Sequence, residues 1–372
     1  MGNLQRSGNI VQDAVESIYS GEVERSRITK TVLVIDEAQD MEEQEFRLVQ
    51  ALMDYNDDIR VIAVGDDDQN IYEFRGSSSV YMKRLLEREG AKYYELVENY
   101  RSLSNLVAYT NHFATCIFDR MKTNPIVPVQ KDYGKITVVE YRCPNLIFPV
   151  VQKMINDGIS KGTCVLTWKN DTALQVAGLF FKFGKRVKLV QERGDFPLKN
   201  LREIRYFSAL LKISEGDYLI GEERWRIAKA EFCKSFGKSS EYELCSNVIA
   251  MFELSNPETK YVSDWQLYLE ESQIGDFYRA GEEEVYVSTM HKSKGHEYEH
   301  VVLLLDDYKV ATEERKRLLY VAMTRAKETL YMTCANQGRK RLLRSTMPEH
   351  ICGVAGSPRK GWCRIWIMST MR

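Results

Sequence analysis

The sequence lacks the features that mark an exported or membrane-embedded chain. Its eight cysteines are scattered over 372 residues without a C-x-x-C pair. This spacing is typical of reduced thiols in a cytoplasm rather than of a disulfide framework. No apolar run approaches the roughly 20 residues that a membrane-spanning helix needs. We therefore expect a cytoplasmic protein that contacts no membrane.

An excess of charge of one sign is also missing. Lys and Arg number 52 and Asp and Glu number 53, which gives a net charge of -1. The overall charge therefore indicates no polyanionic partner, and any nucleic-acid surface must be local. Hydrophobic residues make up 44% of the chain and charged residues 28%, as in ordinary globular domains, and the length allows two or three such domains.

Short apolar runs rich in β-branched residues have the length of strands, at 31–35, 60–64, 136–139, 163–167, 186–190 and 301–305. Because polar and apolar residues do not alternate within them, we expect strands buried on both faces. Helical patterns lie between the runs, and this alternation predicts an α/β fold with mainly parallel sheets. Between residues 212 and 284 aromatic residues recur at helical spacing, which predicts a helical insertion.

Acidic residues follow the first of these runs, in the sequence Asp36-Glu37-Ala38-Gln39-Asp40. They come at the carboxyl end of a strand, where open α/β sheets bind their ligands. The first carboxylate can hold Mg²⁺ there, while the second orients and deprotonates a water that attacks a γ-phosphate. A helix start with acids in its first turn explains the same residues. The pattern alone does not decide between the two.

The second run ends in a polar and aromatic segment, Gly65-Asp66-Asp67-Asp68-Gln69-Asn70-Ile71-Tyr72-Glu73-Phe74-Arg75-Gly76. The amide of Gln69, at a neighbouring strand end, can report whether a γ-phosphate is present. Tyr72 and Phe74 put two rings on one side of the chain, where they can stack on unpaired bases. An ordinary alternating core is the other explanation of the two rings.

Five blocks in order resemble motifs of the UvrD/Rep/PcrA-like helicases of superfamily 1. The segments Asp36–Asp40 and Gly65–Gly76 resemble motifs II and III. Asn99–Ser102 resembles motif IV, Val287–Tyr298 resembles motif V, and Arg317–Lys327 resembles motif VI. The similarity covers about residues 25 to 335. It departs from the family at His296, where a hydrophobic residue is usual, and at Tyr298, where Phe or Trp is usual.

The resemblance implies an α/β protein with two RecA-like motor domains of the P-loop NTPase type, the first of them incomplete. The implied first domain is 1–97, and the second is 98–211 with 285–336. A reduced helical accessory insertion, 212–284, interrupts the second domain. A basic tail, 337–372, carries Arg339, Lys340, Arg341 and Arg344.

The same resemblance implies ATP and Mg²⁺ as cofactors and single-stranded DNA and DNA duplex junctions as partners, with translocation from 3' to 5'. Asp36 would be the metal ligand. The implied catalytic residues are Asp36, Glu37, Gln69, Arg101 and Arg325, the last as an arginine finger, which suits a planar, permanently charged guanidinium. Tyr100, Gly295 and Glu297 would bind the nucleotide. The implied DNA-binding residues are Tyr72, Phe74, Arg75, Thr289 and His291.

One element that this family needs is missing from the sequence, the loop G-x-x-x-x-G-K-[ST] that holds the β- and γ-phosphates. Gly237-Lys238-Ser239 matches its end, but Phe232 stands where the first glycine belongs, and we reject it. Two explanations remain open. The loop lies on an upstream helicase segment of the same gene product, or the chain is a degenerate, non-catalytic DNA-binding or scaffolding module. Retention of all five catalytic candidates favours the first.

Overall fold

The computed structural model describes residues 2–24, 27–28, 31–141, 143, 145–190, 198–214, 216–239, 241–272, 277, 285–306, 308–335 and 363–368, with the backbone alone at 2–9 and 363–368. The chain packs as two compact units. The first contains residues 1–100, 107–129 and 309–321, and the second contains 101–106, 130–308 and 322–372. Two helices, α4 (Ser104–Ala114) and α11 (Glu313–Met323), contribute residues to both.

The first unit contains a two-stranded parallel sheet of β1 (Val32–Ile35) and β2 (Arg60–Ala63). Its helices are α1 (Gly2–Tyr19), α2 (Glu43–Tyr55) and α3 (Val80–Leu86), and two short strands, β3 (Glu98–Asn99) and β4 (Val127–Pro128), pair in parallel. A capping box between Glu42 and Glu45 fixes the start of α2, because each side chain accepts a bond from an end N–H that the helix leaves unpaired.

The prediction that strands β1 and β2 are buried on both faces is wrong. Leu33, Ile35 and Val61 on one face are half-buried, and Ile35 packs near the small core of Ala38, Met41 and Phe46. The other face is exposed: Val32, Val34, Ile62 and Val64 are between 47% and 60% exposed. An apolar run predicts a strand from its composition, but burial needs a covering layer, and the described residues provide one on a single face.

The second unit is built on a seven-stranded sheet. Its strands are β5 (Lys135–Tyr141), β6 (Thr163–Thr167), β7 (Val187–Leu189), β10 (Val285–Thr289), β11 (Tyr298–Leu305), β12 (Ala326–Ala335) and β13 (Cys363–Met368), in the order β13-β5-β12-β11-β6-β10-β7. All neighbours are parallel except β13 and β5. Helices α5 (Ile147–Asp157) and α6 (Asn170–Lys182) connect strands in the way that parallel pairs require.

The predicted strands of this sheet are confirmed, and here the central ones are buried as expected. Every residue of β6 is buried, and so are the last five residues of β11. The antiparallel edge strand β13 lies in the tail and has no counterpart among the predictions. The basic residues Arg339, Lys340, Arg341 and Arg344 lie outside the described residues.

The described residues between β7 and β10 form four helices, α7 (Arg202–Leu210), α8 (Glu222–Phe236), α9 (Tyr242–Ser255) and α10 (Val262–Glu271), with the short antiparallel pair β8 (Leu219–Ile220) and β9 (Lys260–Tyr261). Phe207, Trp225, Phe252 and Trp265 are fully buried with ring centroids 4.9–5.7 Å apart. Such edge-to-face and tilted contacts add to the free energy of burial. Within the described residues, no helix is both long enough and apolar enough to cross a membrane.

The exposed face of the β1–β2 sheet should drive self-association. Replacing Val34 and Ile62 with Thr keeps the β-branched shape that suits a strand and removes apolar surface from water. We expect the double variant to be more monomeric in sedimentation velocity, with an unchanged melting temperature. As a matched control, Val61→Thr on the covered face should cost stability, about 1–2 kcal/mol, without affecting association. Equal association of the wild type and the double variant would contradict the prediction.

Candidate functional site

Two strand ends in the first unit bring the acidic residues together. Because β1 and β2 are parallel and Ile35 pairs with Ala63, the residues after both strands lie at the same edge of the sheet. The N–H of Ala38 donates to the carbonyl oxygen of Val64 at 2.9 Å, which extends the pairing beyond the strands. Asp36 and Glu37 are exposed at this edge. The backbone N–H of Glu37 donates to Asp36 Oδ1 at 2.9 Å.

Gln39 connects the two strand ends. Its side chain is fully buried; Nε2 donates to a carboxylate oxygen of Glu37, and Oε1 accepts the N–H of Asp66 at 2.9 Å. A Cβ atom at Gly65 would lie 2.5 Å from Gln39 Oε1, so a larger residue there would displace the Gln39 amide. Asp66 in turn accepts a hydrogen bond from Gln69 Nε2 at 2.9 Å. Gln39 carries no signal in the sequence, because an amide in an acidic run does not indicate its partners.

Glu37 has a backbone conformation that favours glycine, with φ 51° and ψ 41°. Few non-glycine residues adopt this left-handed region, and those that do are held there by their surroundings. The hydrogen bond from Gln39 is one such restraint. It also restrains the Glu37 carboxylate, one residue after Asp36 at the strand end, and carboxylate oxygens are the ligands that Mg²⁺ prefers. The donor set at Asp36 therefore fits the predicted metal.

Three consecutive aspartates, Asp66, Asp67 and Asp68, also have carboxylate oxygens within 4.8 Å of one another. Two cationic side chains already lie among them. Arg120 donates to both oxygens of Asp68, at 2.8 and 2.7 Å, and Lys122 Nζ lies 2.6 Å from Asp66 and 3.1 Å from Asp68. This cluster is balanced by side-chain cations, so we interpret it as structural and not as a second metal site.

Burial and ion pairing act in opposite directions on the pKa values of this cluster. Burial raises the pKa of Asp67, although the N–H of Met121 donates to it at 2.6 Å. Burial alone would raise the pKa of Asp68 too, but hydrogen bonds and charge from Arg120 and Lys122 outweigh it and lower that pKa. Asp68 therefore stays ionised although its side chain is fully buried. Neither cation belongs to a recognised motif, and no pattern in the sequence predicted either of them.

The aromatic residues after β2 form an exposed platform. The ring centroids of Tyr72 and Phe74 are 6.2 Å apart, edge to face. The Arg75 guanidinium lies 5.1 Å from the Tyr72 centroid and 5.5 Å from that of Phe74. Phe74 is 63% exposed, so the core explanation of this ring is wrong. The short helical turn Glu73–Arg75 ends at Gly76 with φ 97°, and it turns the side chains away from the core.

In the second unit, Arg101 and Glu297 meet. Arg101 Nε donates to a Glu297 carboxylate oxygen at 2.7 Å, and Lys327 Nζ lies 2.8 Å from the other oxygen. The hydrogen bond from Lys327, followed by that from Arg101, lowers the pKa of Glu297. Gly295, two residues earlier, has φ 79°, a turn conformation suited to glycine. Motifs IV, V and VI thus meet in side-chain contacts.

Arg325 is buried in the second unit, with 2% of its surface exposed. Its NH1 donates to the carbonyl of His296 at 3.3 Å and its NH2 to Thr324 Oγ1 at 3.0 Å. The guanidinium is therefore oriented by protein groups beside the turn that holds Glu297. Tyr100, in the first unit, is 66% exposed, and its hydroxyl donates to Glu98, which raises the Tyr100 pKa.

The predicted nucleotide-side and DNA-side residues of the second unit lie at opposite edges of its sheet. Thr289 ends β10 and pairs with Thr167, the last residue of β6. Glu297 precedes β11, in which His300 pairs with Thr163, the first residue of β6. His291 follows β10, and Arg325 immediately precedes β12. Thr289 is buried, and its Oγ1 accepts the N–H of Lys292 at 3.4 Å.

Two family models match the chain at the segments that carry these residues. Residues 19–88 match the UvrD/REP helicase N-terminal domain. Residues 284–333 match the UvrD-like helicase C-terminal domain. The two matches include all the predicted site residues except Tyr100 and Arg101.

Among individual proteins, this chain is similar to DNA helicases over part of their length. The chain is 24% identical over 405 aligned positions to a protein of Bacillus subtilis strain 168 that carries the name "Putative ATP-dependent DNA helicase YjcD", with 85% of this chain and 53% of YjcD covered. It is 36% identical over 88 residues to DNA helicase II of Escherichia coli K12, with 23% of this chain and 12% of the relative covered. The chain thus spans about half the length of YjcD.

One solved structure is the C-terminal domain of a possible DNA helicase from Lactobacillus plantarum WCFS1. It has a TM-score of 0.32 and 14% identity, and the alignment covers 66% of this chain and 93% of that one. A score this low carries no argument about fold or function.

The ion pair between Arg120 and Asp68 should hold the region after β2 in place. Arg120→Met removes the main partner of a buried carboxylate, which should cost about 3 kcal/mol of unfolding free energy at neutral pH. Because the pKa of Asp68 is lowered in the folded chain, its stabilising effect is present above the ordinary Asp value of about 4 and is lost as the pH falls. The penalty should therefore shrink below about pH 4.

Denaturant titrations at several pH values provide the measurement. Asp68→Asn combined with Arg120→Met should recover most of the loss, because no buried charge is left without its partner. Arg224→Met is a matched control, since Arg224 pairs at 3.0 Å with Asp217 on the surface and exposed pairs contribute less than about 1 kcal/mol. Equal losses from Arg120→Met and Arg224→Met would contradict the assignment.

Proposed function

The chain is related to the UvrD/Rep-like DNA helicases, and on that premise we propose that it is the motor portion of an ATP-dependent DNA helicase. The motor would couple ATP hydrolysis to translocation along single-stranded DNA, from 3' to 5', and to unwinding at duplex junctions. We propose two RecA-like motor domains, with a phosphate-binding loop supplied by an upstream helicase segment of the same gene product.

On the nucleotide side, Asp36 would hold Mg²⁺, which neutralises phosphate charge when bound. Glu37 would take a proton from the attacking water, and its position beside Asp36, maintained by Gln39, supports that role. Gln69 would respond to the γ-phosphate. Arg101 and Arg325 would stabilise charge that develops on the phosphates, as guanidinium groups do in phosphoryl transfer.

The remaining nucleotide contacts are proposed for Tyr100, against the base, and for Gly295 and Glu297, at the ribose. The exposed ring of Tyr100 supports stacking. The Glu297 carboxylate already accepts bonds from Arg101 and Lys327, so a ribose hydroxyl would have to share or replace one of these donors.

On the DNA side, Tyr72, Phe74 and Arg75 would stack on bases and attract the phosphate backbone. Thr289 and His291 would contact the backbone. The observation that carries the proposal is the continuity of the segment after β2. It begins with Asp66, whose N–H donates to the motif II residue Gln39 and whose carboxylate accepts from Gln69, and it ends within six residues of Gln69 at the aromatic platform. One short stretch of chain thus connects the proposed catalytic and DNA-binding groups.

A second candidate function is a non-catalytic DNA-binding or scaffolding module. The observation that favours it is the lack of G-x-x-x-x-G-K-[ST] in the 372 residues, since this loop supplies backbone N–H groups and a lysine to the phosphates. The platform would serve either function. ATP turnover distinguishes the two.

We expect the 372-residue chain alone to hydrolyse ATP negligibly, because without the phosphate-binding loop both nucleotide affinity and charge stabilisation are lost. A DNA-stimulated turnover of roughly 1 to 100 per second would contradict this expectation. In a protein completed by an upstream segment that carries the loop, turnover should appear. Glu37→Gln should then abolish hydrolysis and leave ATP binding intact, because the amide keeps the shape of the side chain but takes no proton. A completed protein without turnover would favour the scaffolding module.

Phe74→Ala should weaken binding to single-stranded DNA about ten-fold, because base stacking on one ring contributes roughly 1–3 kcal/mol. The measurement is fluorescence anisotropy with a labelled oligothymidylate. Since Phe74 is exposed, the melting temperature of the Phe74→Ala variant should equal that of the wild type. Arg75→Ala should instead reduce the salt dependence of binding, because it removes a charge that displaces counterions.

Phe148→Ala is the matched control for the loss of a ring, since Phe148 is 57% exposed on α5 and has no proposed DNA role. Unchanged affinity in Phe74→Ala, or an equal loss in Phe148→Ala, would remove the platform from the proposal.

A further inference from the structure

Phe118 is an exposed ring in no recognised motif, and its backbone is fixed on both sides. It is 70% exposed. Its N–H donates to Glu313 Oε2 at 2.8 Å, and its carbonyl oxygen accepts a bond from Arg317 NH2 at 3.3 Å. Asp119, the next residue, has φ 59°, so the chain turns sharply just after the ring. Both polar backbone groups are thus satisfied by α11 while the ring faces solvent.

The same turn of α11 fixes Phe74 of the platform. Glu314, next to Glu313, accepts the backbone N–H of Phe74. Arg317, one helical turn later, donates through NH1 to Glu73 Oε1 at 3.0 Å while NH2 contacts the carbonyl of Phe118. Two consecutive glutamates therefore each hold an exposed phenylalanine, and one buried arginine bridges the two segments. Phe74 and Phe118 are thus both anchored to the same turn of α11.

The charges around Phe118 are paired locally. Lys316 Nζ lies 4.7 Å from the Phe118 ring centroid and also bonds Glu313 at 2.6 Å and the carbonyl of Cys116 at 2.8 Å. Asp119 pairs with Lys83 at 2.6 Å. Because these carboxylates have cationic partners, the surface does not strongly repel a phosphate backbone, and it offers a ring rather than net positive charge.

We propose that Phe118 is a third stacking ring for single-stranded DNA, which extends the surface of Tyr72 and Phe74 by at least one base, with Arg317 as the positioning residue that aligns the two phenylalanines. This inference rests on the proposed DNA-binding function of the platform. An aromatic face is a sequence-tolerant partner for an unpaired base, and the charges nearest the ring are already paired.

The test measures binding of the full chain to a labelled oligothymidylate by fluorescence anisotropy. Phe118→Ala should weaken binding about five-fold or more, with an unchanged salt slope because no charge is removed. Phe118→Trp should retain affinity, since it keeps a stacking face. Phe148→Ala is again the control. On a strand of the same length with abasic sites in place of thymidine, wild type and Phe118→Ala should bind equally.

Arg317→Lys tests the positioning role, because lysine keeps the charge but cannot bridge Glu73 and the Phe118 carbonyl in the same way. It should weaken binding to oligothymidylate and have no effect on the abasic strand, which a general loss of structure would not produce. If Arg317→Lys fails to fold, Glu73→Gln tests the same bridge from its exposed side.

The outcomes separate this inference from the proposed platform. Weaker binding in both Phe74→Ala and Phe118→Ala supports both. Loss in Phe74→Ala alone overturns the role of Phe118 and leaves the platform. Unchanged binding in both overturns both. An equal loss on the abasic strand would show that Phe118 acts by something other than stacking and would overturn the inference.

Discussion

The buried carboxylate of Asp68 is the constraint on which the first unit depends. A buried charge is tolerated only when it is paired with opposite charge or hydrogen-bond donors. Asp68 pairs with Arg120 and Lys122, which lie about fifty residues away in sequence. Those two cations fix the chain from Cys116 to Lys122 against the residues after β2. The contacts of Phe118 with α11, and of α11 with Glu73, follow from that placement. The ion-pair cluster of Asp68, Arg120 and Lys122 thus positions the aromatic platform, although none of these three residues belongs to the platform.

Gln39 contributes a restraint of another kind. Its amide offers a donor and an acceptor in one planar group, and the two are used in opposite directions, toward Glu37 and toward the N–H of Asp66. A carboxylate at this position could accept but not donate at neutral pH. The arrangement therefore depends on the amide rather than on side-chain size, and it fixes Glu37 in a backbone conformation that a free chain rarely adopts.

The sequence predicted strands β1, β2, β5, β6, β7 and β11 and the segments that carry the candidate residues, because apolar runs and ordered motifs are local signals. The exposure of Val34 and Ile62 does not follow from the composition of the strands, since burial depends on what covers a strand. Arg120, Lys122 and Phe118 were missed for a related reason. Their importance lies in contacts with distant residues, and no spacing in the sequence marks them. The sequence pattern also left two interpretations of the Phe74 ring open, a core position and an exposed stacking position. Its 63% exposure excludes the core position.

The second unit separates its two groups of candidate residues by the length of a strand. Thr289 pairs with the end of β6, and the turn with Glu297 lies near its start. Five residues at about 3.3 Å each make β6 a rod of roughly 15 Å, with neighbours on both sides that prevent bending. If the proposed roles hold, a small rotation of the sheet at the end near Glu297 would displace the opposite end, near Thr289. The sheet would then act as a lever whose arm is one β-strand long. The length of that arm is a property of the sheet and not of the chemistry at either end.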